Sequence, residues 1–196
     1  MPLGVGIGMP SKNLKDFGAK GGVGFDAGVS AQLGYMFQVV NGFGISALVE
    51  LGYAHDSYVA KFGGEAATFL FGGEGTYNLQ IDSFQIGLLP KFNIGAFSIG
   101  IGGGVKVPLG GKQILKIGDF KETYKLGIGD ALSAFETLVI GYIKATFDYS
   151  IFFTDKLALN VGLYLGGDFT RIRDFGESFN SFDIGVELGF KFGPKA

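Results

Sequence analysis

Cysteine and tryptophan are missing from the 196 residues, and histidine occurs once. Without cysteine there is no disulfide and no thiolate metal site. One histidine and scattered carboxylates show no metal-ligand spacing, so neither a metal nor a cofactor is expected. Charged residues make up only 17% of the chain, with a formal net charge of -2, so the basic footprint of a nucleic-acid binder is absent. No stretch approaches the roughly 20 consecutive apolar residues of a membrane helix, because glycine or a polar group interrupts every candidate. The opening MPLGVGIGMP has no basic head followed by a compact apolar core, so no signal peptide is read there.

What remains is rich in glycine and apolar side chains. There are 36 glycines and 21 phenylalanines, and hydrophobic residues make up 47%. The mean hydropathy of +0.34 is high for a soluble domain. These residues are ordered with a period of two, the signature of strands. Val23, Phe25, Ala27, Val29, Ala31, Leu33, Tyr35 and Phe37 alternate with Gly24, Asp26, Gly28, Ser30, Gln32, Gly34 and Met36. The pattern returns over 43–53, 84–93, 97–107, 143–151, 157–168 and 182–192, and a shorter strand over 3–9 makes eight.

The connections alternate in length. Short ones at 38–42, 93–96 and 154–156 are interleaved with long ones at 10–21, 56–78, 110–137 and 171–178. That arrangement predicts a single domain over 1–196: an all-β, eight-stranded antiparallel up-and-down transmembrane β-barrel. Strands of 9–11 tilted residues suffice to cross a bilayer, and a closed barrel is the form in which strands do so.

The polar face decides between this and a soluble, lipocalin-like barrel. A water-facing strand surface would carry Lys, Glu, Thr and Arg at most positions; here it is mainly glycine with isolated charges of both signs. Asp26, Glu50, Asp148, Asp168, Asp183 and Glu187 are therefore expected to meet Lys91, Lys106, Lys144 and Lys191 as a polar network in the lumen. The opposite skin of Phe, Leu, Ile and Val would be an aggregation liability in water and is expected to face lipid, with aromatic girdles near the headgroups.

At this level the chain resembles the small eight-stranded outer-membrane barrels of diderm bacteria, among them adhesin/invasin-like barrels and a barrel that passes small hydrophobic molecules. The most specific element is the last strand. Asp183-x-Gly185-x-x-Leu188-x-Phe190, followed by Phe192, is similar to the signal read by the outer-membrane assembly machinery, although GPKA follows the aromatic here. The resemblance implies a multi-pass protein of the bacterial outer membrane. Its implied partners are membrane lipids, lipopolysaccharide or its equivalent, the barrel-assembly machinery, and a small hydrophobic solute or extracellular ligand.

Two functional expectations follow: porin-like transport of small or hydrophobic solutes, or a non-catalytic structural or adhesin-like barrel that presents loops. An enzyme is the remote third. His55 and Ser57 stand two apart on one strand face, similar to the serine hydrolase site of outer-membrane lipid A deacylases. That resemblance would make Ser57 the nucleophile, His55 the base and an acid such as Glu65 its orienter. Tyr58 stands where that motif has asparagine, and a histidine at a headgroup boundary is the simpler reading. No catalytic residue is assigned. In the longest connection, DALSAFETL (130–138) has the pattern of a short amphipathic helix.

Overall fold

A computed structural model describes residues 1–16, 18–64, 68, 73–135, 138–173 and 177–193. The alternating segments are strands, and most are longer than their sequence pattern indicates. In chain order they are β1 (Pro2–Pro10), β2 (Ala19–Gly21), β3 (Val23–Val40), β4 (Phe43–Phe62), β5 (Gly75–Leu88), β6 (Lys91–Ile94) and β7 (Phe97–Ile117). They continue with β8 (Phe120–Leu126), β9 (Ile140–Thr154), β10 (Leu157–Phe169), β11 (Arg171–Ile172) and β12 (Glu177–Phe192). Among the described residues, two short helices, α1 (Lys12–Asp16) and α2 (Ile128–Ser133), lie in the longer connections.

Every ladder is antiparallel, and the path runs β1-β3-β4-β5-β7-β9-β10-β12-β11. Gly42, at φ +82, supplies the left-handed residue of the tight β3–β4 turn, and Gly118, at φ +55, does so between β7 and β8. Leu89 and Pro90 split the strand expected over 84–93 into β5 and β6, since proline has no N–H for a ladder. Both pieces still lie between β4 and β7.

The eight-stranded barrel is corrected in two respects. Among the described residues the sheet has twelve strands, with β2, β6, β8 and β11 added to the long ones. Nor is its wall closed along its length. β1 is the only strand between β3 and β12 among the described residues, and it pairs with β3 only from Leu3↔Ala27 to Ile7↔Val23. On its other side it pairs with β12 from Pro2↔Glu187 to Pro10↔Phe179. The β3 register would next place Pro2 opposite Gly28, where proline has no N–H to give. Beyond that point β3 continues to Val40 and β12 to Phe192, with no strand of the described residues laddered between them.

This opening overturns the membrane reading. A sheet edge with unpaired N–H and C=O groups is not tolerated in hydrocarbon, where only a fully satisfied backbone can span. The transmembrane and porin-like assignments, the outer-membrane localisation, and the lipid, lipopolysaccharide and assembly-machinery partners are withdrawn with it. The final strand is β12, and its Asp183, Gly185, Leu188, Phe190 and Phe192 are ordinary alternating positions paired to β10, with Asp183 and Gly185 also paired to β1.

The two sheet faces differ in chemistry as well as exposure. Large apolar side chains such as Phe25, Leu33, Phe84, Ile101, Leu163 and Phe190 are exposed on one face, while Glu50, Asp148 and Asp168 are buried on the other. At the end of the sheet where the long connections lie, an apolar core forms instead. Tyr58, Leu79, Ile81, Phe135, Ile140 and Phe179 are all fully enclosed there. Tyr58 meets Phe135 and Phe179 edge to face, with centroids 6.0 and 6.5 Å apart.

Candidate functional site

The buried face carries its charges in three groups. At the level of the apolar core, Lys106 from β7 donates to Asp56 Oδ1 and Asp168 Oδ2, each at 2.9 Å. Tyr58 donates to the same oxygen of Asp168 at 2.8 Å. Burial disfavours the lysine charge, but Asp168 and Asp56 outweigh it and hold the ammonium above its ordinary range. Asp26 and Asp183 stand on either side of Gly6, whose missing Cβ leaves the space that their carboxylates occupy. Asp26 accepts the Ser57 backbone N–H at 3.0 Å. Burial, then the charge of Asp183, pushes Asp26 up to about 8. Burial, then the charge of Asp168, raises Asp183 to about 7.

The middle group centres on Glu50. Lys144 bridges Glu50, at 3.2 Å, and Glu187. Ser30, Gln32 and Gln85 also donate to Glu50, at 3.1, 3.2 and 2.9 Å. Desolvation alone would raise this carboxyl, yet Lys144 and the donors bring it below its usual value. Nearest the short turns, Lys91 pairs with Asp148 at 2.7 Å, and Asn93 links Ser46 and Ser98 at 2.8 Å each.

Lys191 belongs to none of these groups. It lies half-buried on β12 with its ammonium 5.6 Å from the Phe152 ring centre, and it has no carboxylate partner among the described residues. Burial, reinforced by the charge of Lys91, lowers its pKa.

A cavity of about 590 Å³ adjoins this third group and reaches the opening between β3 and β12. Its walls combine Lys91, Asn93, Asp148 and Lys191 with apolar groups such as Leu48 and Met36. A smaller cavity of about 60 Å³ lies among Asp26, Asp56, Lys106, Tyr164 and Asp183.

The same opening exposes backbone. Gly8 N–H donates to Gly22 O at 2.9 Å, which sets the even-numbered residues of β3 toward β1, as alternation in an antiparallel ladder requires. The backbone groups of Ser30, Gln32, Gly34, Met36 and Gln38 therefore point into the opening. On the far side Leu188 exchanges two hydrogen bonds with Met1, at 2.6 and 3.1 Å, so Phe190 and Phe192 present theirs to the opening in turn.

All ten expected polar-network residues lie on the same sheet face, but nine of them form separate clusters and Lys191 stands outside these. Asn93 was legible on the polar face but was not counted in the network, whereas Asp56 and Tyr58, which complete the first cluster, lay in a presumed connection. Continuing the even-numbered series Glu50, Gly52, Ala54 through Asp56 to Tyr58 would have found those two.

His55 and Ser57 do not form a hydrolytic pair. His55 Nδ1 is 2.7 Å from Asp82 Oδ1, while Ser57 Oγ donates to the Phe25 carbonyl at 2.9 Å. Ser57 is buried, so neither a base nor a substrate reaches its hydroxyl in this arrangement. Glu65 lies outside the described residues.

No protein-family model matches this chain, and no curated protein is similar to it. The resemblance to small outer-membrane barrels therefore has no relative to rest on, and the open flank removes its architectural basis.

Proposed function

We propose that this chain is a non-catalytic binding protein whose ligand enters between β3 and β12. The observation that carries the reading is the cavity of about 590 Å³ behind that opening, with Lys191, which has no carboxylate partner among the described residues, among both polar and apolar walls. Ligand pockets combine apolar lining with a few placed polar groups in this way. The reading is supported by the engagement of His55 and Ser57 elsewhere, which keeps these two from acting as base and nucleophile together.

The ligand class follows from the lining. An anionic group satisfies Lys191, and an apolar portion covers Met36 and Leu48. Dodecanoate is a suitable first probe, titrated below its micellar range while backbone amide resonances are followed. Shifts should concentrate at Gln32, Met36, Lys91 and Lys191 and saturate. Met36→Trp, which fills the cavity, should abolish them. Shifts spread evenly over the exposed apolar face, unchanged by Met36→Trp, would refute a defined site.

A further inference from the structure

We infer that the natural occupant of the opening is an extended peptide strand that adds to the sheet between β3 and β12, with an acidic side chain directed inward to Lys191. This rests on the binding reading above and specifies its ligand.

Two unpaired edges face one another there, and β1 already occupies the same channel further along. β1 is antiparallel to both neighbours, so one strand continuing its line meets both edges in the same sense. The registers fix what that strand would touch. Pro2 lies opposite Glu187 on one side and, by extension, Gly28 on the other, an offset that also sets Lys191 level with Gln32. A docked residue between Lys191 and Gln32 directs its side chain to the polar interior, the face on which Gly4 and Gly6 of β1 lie against Tyr164, Asp26 and Asp183. Its neighbours project outward beside Leu33, Phe190 and Phe192, all exposed.

Backbone bonding comes from the even-numbered positions of β3 and from Phe190 and Phe192, the pattern by which a peptide joins a free sheet edge. Charge then selects the inward residue. Lys91 is neutralised by Asp148, and Glu187 is held by Lys144, whereas Lys191 has no acid of its own among the described residues. A carboxylate at that level accepts from Lys191 and, with its second oxygen, from the Gln32 amide. A lysine there meets two ammonium groups instead.

The test uses the full chain and a short synthetic peptide that alternates valine with threonine, with one central threonine replaced by glutamate. Amide exchange and calorimetry are read on the same samples. The expected result is new protection of Ser30, Gln32, Gly34, Met36, Phe190 and Phe192, with affinity about tenfold lower for the peptide carrying lysine in place of glutamate. Lys191→Ala should erase most of that preference while leaving backbone protection by the peptide in place. If dodecanoate binds at the cavity and no peptide does, the binding site stands and the strand inference falls. If neither binds to protein shown to be folded by its amide spectrum, both fall. Equal affinity for the glutamate and lysine peptides overturns the role given to Lys191.

Discussion

Replacing Lys106 by methionine keeps most of the side-chain volume but removes the charge shared by two buried carboxylates. Both ion pairs are 2.9 Å long, and Lys106, Asp56 and Asp168 are all nearly inaccessible. Removing one partner from such a pair costs about 3–5 kcal/mol, because the remaining charge is left in a poorly solvated site. Here two carboxylates lose the same partner, and Asp26 and Asp183 lie close by, so protonation of one acid will relieve part of the cost. For a chain of this length, roughly 2–4 °C of melting temperature accompanies each kcal/mol, which predicts a fall of about 6–20 °C. Thermal unfolding at neutral pH, followed by far-UV circular dichroism, measures it. Adding Asp56→Asn and Asp168→Asn to Lys106→Met should restore more than half of the loss, since neither former partner of Lys106 is then left charged. A loss below about 1 kcal/mol for Lys106→Met alone would show that water solvates these acids well and would refute the buried-triad argument.

Three further outcomes follow from the same geometry. Asp26 is raised from 3.8 to about 8, so the folded state binds a proton that the unfolded state lacks between those values. Its contribution to stability is fully present below the unfolded pKa and is lost as pH rises through about 8, so denaturant midpoints should climb on acidification from pH 9 to pH 5. Asp26→Asn combined with Asp183→Asn should flatten that slope. Gly6→Val places a branched side chain between Asp26 and Asp183 and should lower the melting temperature, with amide shifts centred on those two residues. Phe179→Ala should cost about 3–5 kcal/mol in denaturant unfolding, because Phe179 is fully enclosed against Tyr58.

The strands were legible wherever one face is covered and the other is not. Over Val23–Phe37 and Phe43–Tyr53 the alternation of glycine or polar residues with large apolar ones gives the element and its faces directly. Past Ala54 that contrast vanishes, because Asp56, Ser57, Tyr58, Val59 and Ala60 are all buried, and β4 runs to Phe62 through what reads as a loop. The 130–138 helix pattern is realised earlier, as α2 from Ile128 to Ser133, and β8 fills part of the connection before it.

The open flank left a fainter trace. A nine-residue β1 beside an eighteen-residue β3 cannot cover it, but strand lengths compare usefully only when the pairing is known. Pro2 was visible as a residue unable to donate; its position opposite Gly28 comes from register. Likewise, ten charges on one face could be read from alternation, whereas the lack of an ion pair to Lys191 among the described residues depends on which strands become neighbours.

The most direct test of the open edge is residue-resolved hydrogen exchange along β3 in the free protein. The ladder with β4 should protect the amides of Ala31, Leu33, Tyr35 and Phe37, while Ser30, Gln32, Gly34 and Met36, facing the opening, should exchange far faster. Equal protection of the two sets would mean that the wall is closed along β3, contradicting both the binding site and the strand placed within it.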